Sequence, residues 1–188
     1  MLGKALLAGS ALLLAAGAAT AAQCLTAEFP EHVQLGGATL TLNGLGVRKA
    51  TFLRVNVYVA ALYLIRPTQD GRAIIDSRGP FELDLQFVRS VGAKAIRNGF
   101  AEGFAQVPHS PAIDSRIATL NGWMEDIHSG ERMSFVRVPG RGVQFSFAGK
   151  PRGVIPGEDF ARALLAIWLG DHPPNAELKA GLLGAPCH

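Results

Sequence analysis

The chain has 188 residues, of which 48% are hydrophobic and 18% are charged, and its formal net charge is +3. This length fits one domain with a sizeable core. Because the charge is small and no Lys/Arg cluster of the nucleic-acid-binding type occurs, the composition argues against a nucleic-acid partner.

The N-terminal residues have the order of a secretory signal peptide. Lys4 precedes an apolar run over 5–16, and small residues follow up to residue 22. The run is too short to span a bilayer. We therefore expect a signal peptide over 1–22 and an exported mature domain over 23–188 that has no transmembrane segment.

The two cysteines, Cys24 and Cys187, lie near opposite ends of the mature sequence. An exported protein meets an oxidising compartment, where these two residues have one possible pairing. We expect a disulfide between them, and the alternative is two free thiols on frayed ends. A lipidated Cys24 is disfavoured, because the preceding Gln23 is too large and polar for the usual lipoprotein cleavage site.

The first half of the mature chain predicts strands and one short helix. Apolar, β-branched and aromatic residues alternate or dominate in four segments bounded by turn residues. We predict strands over Val33–Leu35, Thr39–Val47, Phe52–Leu64 and Phe81–Val88, and a short helix over Gly71–Ser77.

The second half predicts helices and a further group of strands. Apolar residues at helical spacing run from Ile96 to Val107 and from Ile113 to Ile127. The remaining predicted elements are strands over Glu131–Val138, Val143–Phe147 and Gly149–Ile155 and helices over Glu158–Leu169 and Ala176–Leu183. Strands and helices in separate blocks predict an α+β fold, with helices packed on one face of an antiparallel sheet.

Arg48 stands just before the long apolar strand that carries both tyrosines of the protein, Tyr58 and Tyr63. A guanidinium and a phenol hydroxyl that face an apolar cavity can together hold a carboxylate or phenolate. Because the tyrosines are five residues apart, they point to opposite faces of the strand, and we interpret Tyr63 as a core residue. The alternative for Arg48 is a surface cation or a partner of Glu82 or Asp84.

Other motifs are weak. The five histidines show no pair at metal-ligand helical spacing, so no metal site is expected. Gly44-Leu45-Gly46 lacks the third glycine of a dinucleotide loop, and Gly149-Lys150 lacks the Ser or Thr of a phosphate loop, so no nucleotide cofactor is expected. A hydrolase is disfavoured because no Gly-x-Ser-x-Gly elbow occurs.

Three segments resemble, in their order and spacing, the bacterial exported branch of the chalcone isomerase-like family. They are LNGLGVRKATFLRVNVYVAALYL (42–64), FVRSVGAKAIRNGFAEGF (87–104) and GEDFARALLAIWLGDHPPNAELKAGLLG (157–184). The resemblance covers most of the mature chain. It implies an open-faced β-sandwich, in which a large antiparallel sheet carries a layer of helices and the ligand lies in a cleft between the two.

The family includes plant chalcone isomerases and non-enzymatic members that bind fatty acids in the same cleft. The resemblance places Arg48 at the arginine common to both groups, and Tyr58 at the tyrosine of the fatty-acid binders, where the isomerases have a threonine. It places Ile96 and Gly103 at the catalytic tyrosine and asparagine of the isomerases, and Ile167 at their specificity residue. Because an isoleucine cannot donate a hydrogen bond to a substrate ketone, these replacements disfavour isomerase chemistry.

We therefore expect a periplasmic, non-catalytic binder of a fatty acid or a similar amphiphilic acid, with no cofactor. An apolar cleft with one cationic anchor suits an alkyl acid, because each buried CH₂ contributes about 0.8 kcal/mol. The expected site residues are Arg48 and Tyr58 for the head group and Ile96, Phe100, Gly103 and Ile167 for the cleft lining. Two alternatives stay open, an intramolecular lyase of the chalcone isomerase type and an interaction module for another exported protein.

Overall fold

The structure is a computed structural model that describes residues 20–50 and 53–187. The predicted signal peptide lies almost wholly outside the described residues. Within the described ranges, no helix has the length and apolar character needed to cross a membrane.

The described residues form nine strands and five α-helices. The strands are β1 (Ala21–Cys24), β2 (Ala27–Pro30), β3 (His32–Leu35), β4 (Ala38–Ala50), β5 (Val55–Leu64), β6 (Phe81–Phe87), β7 (Arg132–Val138), β8 (Gly142–Phe147) and β9 (Lys150–Ile155). The helices are α1 (Gly71–Asp76), α2 (Ala93–Ala105), α3 (Asp114–Gly122), α4 (Glu158–Leu169) and α5 (Ala176–Leu182).

Strands β3 to β9 form one antiparallel sheet whose spatial order is the order of the chain. The helices cover one face of this sheet, here called the helix side. Strands β1 and β2 pair with each other and form a separate hairpin that packs against the opposite face, here called the hairpin side. The predicted α+β architecture, an antiparallel sheet with a layer of helices, is confirmed.

The two faces of β5 belong to two separate cores, as the alternation of a strand requires. Ala60 and Leu62 lie in the core under the helices, whereas Val59 and Tyr63 lie in the core under the hairpin. Tyr63 is fully buried, and its hydroxyl donates to the carbonyl of Pro30 at 3.0 Å. The interpretation of Tyr63 as a core residue therefore fits the structure, and β5 is a central strand covered on both faces.

Helix α5 packs closely on β4 because two glycines of β4 carry no side chain. A Cβ at Gly44 would overlap the carbonyl oxygen of Gly181, and a Cβ at Gly46 would overlap that of Leu178. The Asn43 side chain adds a hydrogen bond to the carbonyl of Leu182 at 2.7 Å. The glycine pair of β4 thus serves helix packing.

A disulfide joins Cys24 at the end of β1 to Cys187 near the C-terminus. Cys24 is buried in the hairpin-side core, and Cys187 packs against that core. The predicted pairing is present in the structure, and it ties the hairpin to the tail that follows α5.

The strand predicted to end at Val47 continues to Ala50. Two further predicted boundaries were wrong for local reasons. The strand predicted from residue 52 begins at Val55, because Leu53 and Arg54 form a turn in which Arg54 has a φ of 52°; residue 52 itself lies outside the described ranges. The helix predicted to run to Ile127 ends at Gly122. Ile127 is buried by pairing with Val91 in an isolated bridge, so its helical spacing reflects core burial alone.

The hairpin of β1 and β2 was not predicted. Its strands have four residues each, and the first two residues of β1 fall in the small-residue segment assigned to the end of the signal peptide. Ala21 pairs with Pro30 and Ala22 pairs with Phe29. The predicted boundary at residue 22 therefore falls inside a strand.

Candidate ligand-binding site

The register of the sheet brings Arg48 and Tyr58 together. Arg48 on β4 lies directly opposite Tyr58 on β5, and a β-bulge follows between Arg48 and Lys49. Residues directly opposite in an antiparallel pair project to the same face. Since Tyr58 packs against the core under the helices, both predicted head-group residues lie on the helix side.

The segment before α5 positions Arg48 from outside the sheet. The side chain of Asn175 donates to the carbonyl of Val47 at 3.0 Å and accepts from the amide of Lys49 at 3.1 Å, so it brackets the arginine backbone. The Arg48 Nη1 donates to the carbonyls of Lys49 and Pro174. These contacts direct the guanidinium toward the edge of the helix layer.

Arg48 forms no ion pair with any residue that the structure describes. The alternative partners considered from the sequence, Glu82 and Asp84, lie on the hairpin side of β6, where Arg132 is 3.9 Å from Asp84. That alternative was wrong because alternate residues of β6 face away from Arg48. The Arg48 charge is therefore available to a ligand.

A cavity of about 830 Å³ opens between the sheet and helices α2 and α4. All six residues predicted for the site line it: Arg48, Tyr58, Ile96, Phe100, Gly103 and Ile167. Further apolar lining comes from Val55, Val57, Leu85, Phe87, Val91, Trp168, Pro173 and Pro174. The walls are thus largely apolar, while Arg48 and Tyr58 supply polar groups at one place.

Helices α2 and α4 approach closely at the floor of the cavity. Ile96, Phe100 and Gly103 share one face of α2 at helical spacing. A Cβ built on Gly103 would lie 2.7 Å from Cγ2 of Ile167 on α4. The absence of a side chain at Gly103 therefore lets Ile167 fill the space between the two helices.

The hydroxyl of Tyr58 is held by a residue that the sequence analysis missed. Trp168 on α4 donates from Nε1 to the Tyr58 oxygen at 2.9 Å. Burial raises the pKa of Tyr58 to about 12, although the Trp168 hydrogen bond and the Arg48 charge lower it. The phenol therefore stays protonated and can donate a hydrogen bond. Trp168 stands next to Ile167 on the apolar face of α4, which was the only sequence signal for it.

The rim of the cavity is polar. Arg89, Glu102 and His172 are exposed and line its opening. A second recess of about 700 Å³ shares Gln106 and His172 with the cavity, and its lining includes charged residues of α1, α4 and α5. Within residues 20–50 and 53–187, no cluster of three potential metal ligands occurs.

Comparison with known proteins supports the fold on independent grounds. No curated protein matches the sequence. Among solved structures, a fatty-acid-binding protein of Arabidopsis thaliana is similar, with a TM-score of 0.68 and 15% identity over 83% of this chain and 91% of that chain. At that identity the likeness shows the fold. The family described as "Chalcone isomerase-like" matches residues 21–184. Since this match covers most of the chain, the protein belongs to the chalcone isomerase-like family.

Proposed function

We propose that this protein is an exported, periplasmic binder of fatty acids or similar amphiphilic acids, from the bacterial exported branch of its family, and that it is not an enzyme. One observation carries the proposal. Arg48 and Tyr58 are cross-strand neighbours that line the same largely apolar cavity, and Arg48 has no ion-pair partner within the described residues.

The energetics of the cavity favour a ligand with an alkyl chain and one anionic end. Each buried CH₂ contributes about 0.8 kcal/mol, so most of the affinity comes from the chain. A buried carboxylate needs a counter-charge and hydrogen bonds, which Arg48 and Tyr58 supply together. The likeness of the fold to that of the Arabidopsis fatty-acid-binding protein supports the same ligand class.

The non-catalytic part of the proposal follows from the residues at the positions that resemble the isomerase machinery. Ile96 and Gly103 have no side-chain donor or acceptor, and Ile167 packs against Gly103. At these positions, therefore, no side chain can donate a hydrogen bond to a substrate ketone. Turnover of a chalcone by the wild type, abolished by Arg48→Ala, would contradict this part.

The direct test is calorimetric titration with dodecanoate and with its methyl ester. Arg48→Ala should weaken dodecanoate binding by about 2–4 kcal/mol, because the carboxylate would be buried without its counter-charge. Tyr58→Phe should weaken it by about 1 kcal/mol, because one neutral donor is lost. The wild type should bind the methyl ester more weakly than it binds dodecanoate. The ester should bind the wild type and Arg48→Ala with similar affinity.

Arg141→Ala is a matched control, since it removes one positive charge from an exposed turn between β7 and β8. It should leave dodecanoate binding unchanged. Equal affinity of the wild type for the acid and the ester would show that the anchor lies elsewhere. Normal acid binding by Arg48→Ala would contradict the assignment as well.

Export is part of the proposal and rests on the charged, apolar and small-residue order of 1–22 and on the Cys24–Cys187 disulfide. Intact mass spectrometry of protein recovered from a periplasmic fraction should show a chain cleaved near Gln23 with the disulfide formed. Native mass spectrometry of the same material should show a bound acid. An uncleaved chain confined to the cytoplasm would contradict export.

A further inference from the structure

Trp168 determines the direction in which the hydroxyl hydrogen of Tyr58 points. Its Nε1 lies 2.9 Å from the Tyr58 oxygen. An indole N–H can only donate, so the Tyr58 oxygen is the acceptor in this contact. The phenolic hydrogen therefore points away from Trp168, and no residue in the described ranges accepts it. Because Tyr58 lines the cavity, that hydrogen is offered to the ligand.

Packing holds the indole in place without a ligand. Trp168 is 2% exposed. Its ring lies edge-on to Phe100, with centroids 6.1 Å apart, and also contacts Phe135 at 6.2 Å. The hydrogen bond thus joins the helix layer to the sheet along the cavity wall, and the Tyr58 hydroxyl is oriented before a ligand arrives.

The two polar side chains at this end of the cavity, Arg48 and Tyr58, therefore both act as hydrogen-bond donors. The Arg48 guanidinium has no acceptor atom, and Trp168 occupies an acceptor position of Tyr58. A carboxylate only accepts, so it satisfies both residues. A primary alcohol also carries a hydrogen, and the Tyr58 oxygen is a poorer acceptor for it because Trp168 already donates to that oxygen. The alcohol should therefore bind less tightly than the acid.

We propose that Trp168 is a positioning residue that selects the ligand through Tyr58, because it holds the hydroxyl as a donor and so favours ionised acids over alcohols of the same chain length. The inference rests on the proposed function and adds to it a determinant of head-group specificity.

The test compares the affinities of dodecanoate and 1-dodecanol at neutral pH. Trp168→Phe keeps an aromatic ring in the core and removes the donor. Its acid-to-alcohol affinity ratio should fall by about three- to tenfold relative to the wild type, the value of one hydrogen bond. Tyr58→Phe should lower the ratio as well, and the double variant should show no further loss, because both changes remove one interaction.

Trp123→Phe is the matched control. It removes the other indole of the chain, which stacks on Phe145, and it should leave the ratio unchanged.

A second measurement does not depend on Trp168→Phe folding well. In nuclear magnetic resonance spectra, Tyr58→Phe should move the indole N–H signal of Trp168 upfield and leave that of Trp123 in place.

An unchanged ratio in Trp168→Phe, fully additive losses in the double variant, or an unmoved Trp168 signal would overturn the inference. These outcomes differ from failure of the proposed function. A wild type that binds no acid would overturn both proposals. Acid binding that depends on Arg48, together with an unchanged ratio in Trp168→Phe, would overturn this inference alone.

Discussion

Three arginines of the sheet differ in what surrounds their charge. Arg137 is 1% exposed, pairs with Glu158 and donates to the carbonyl of Ser77, so its charge is used inside the protein. Arg132 donates to Gln86 and to the backbone of the hairpin. Within the described residues, the Arg48 side chain donates hydrogen bonds only to backbone carbonyls. The same residue type is thus structural at two positions and available for binding at the third.

Two carboxyl groups, those of Glu82 and Asp84, lie on the hairpin side of β6. Burial, together with the Asp84 charge, raises the pKa of Glu82 to about 7. Burial also raises the pKa of Asp84, which is 6% exposed. Tyr63 and Arg132 face the same cluster. Ionisation of Glu82 therefore opposes folding.

Stability should fall as pH rises from about 5 to 8. The pKa of Glu82 in the folded state, about 7, lies above its ordinary value of 4.5, so the folded chain holds this proton more tightly than the unfolded chain does. In this pH range the unfolded state binds fewer protons, and the free energy of unfolding decreases with pH by about 2 kcal/mol. Urea unfolding at both pH values measures the loss.

Glu82→Gln isolates this effect. The variant should lose less stability than the wild type between the two pH values, because it keeps Asp84 and the histidines but has no proton to release at this position. Identical pH dependence in the two proteins would show that Glu82 does not carry the effect.

The site residues could be predicted by two routes. Helical spacing placed Ile96 and Phe100 on one face of a helix, whereas the family resemblance supplied Arg48 and Tyr58 and the matched positions Ile96, Gly103 and Ile167. Trp168 could not be predicted to bond Tyr58, because the two residues are 110 positions apart and meet only when α4 packs on the sheet.

At the scale of elements, the contact between α2 and α4 depends on one missing side chain. Both Gly99 and Gly103 lie within α2. A Cβ at Gly99 would have no atom within 4 Å, whereas one at Gly103 would lie 2.7 Å from a branched carbon of Ile167. The same substitution should therefore have opposite effects at the two positions.

Gly99→Ala should raise the free energy of unfolding by about 0.5–1 kcal/mol, since alanine favours the helix. Gly103→Ala gains the same helix propensity but overpacks against Ile167 at a cost of about 1–3 kcal/mol. The Gly103 variant should thus be less stable than the Gly99 variant.

In an Ile167→Ala background, Gly103→Ala should become stabilising. Equal gains from both single substitutions would contradict the close contact. Urea unfolding of the wild type and the four variants measures these differences.

The elements themselves were predictable where periodicity and turn chemistry agreed. The helix Glu158–Leu169 and the chain order of the main strands match the sequence prediction. The hairpin of β1 and β2 was missed because β1 begins in the small-residue segment that was assigned to the signal peptide. The end of α3 at Gly122 was missed because buried Met124 and Ile127 continue its apolar spacing after the helix ends.

At the scale of the whole molecule, one covalent bond connects the start and the end of the domain. The disulfide spans a sequence separation of 163 residues. It holds the hairpin, including Phe29, over the hairpin-side core and beside the Arg132 guanidinium, which lies 4.6 Å from the Phe29 ring. The hairpin covers Tyr63 and accepts a hydrogen bond from its hydroxyl at the Pro30 carbonyl, so the bond also helps to keep this buried polar group paired.

Removal of this bond should destabilise the domain. Cys24→Ser combined with Cys187→Ser should lower the free energy of unfolding by about 2–5 kcal/mol, because a crosslink across so long a loop strongly restricts the unfolded chain. Urea unfolding of the oxidised wild type and the double variant measures the difference.

Reduced wild type is the matched control and should unfold near the same urea concentration as the variant. Any further loss of stability in the variant is caused by burial of the serine hydroxyl at the Cys24 position. Equal midpoints for the oxidised and reduced wild type would show that the closed loop does not stabilise the domain.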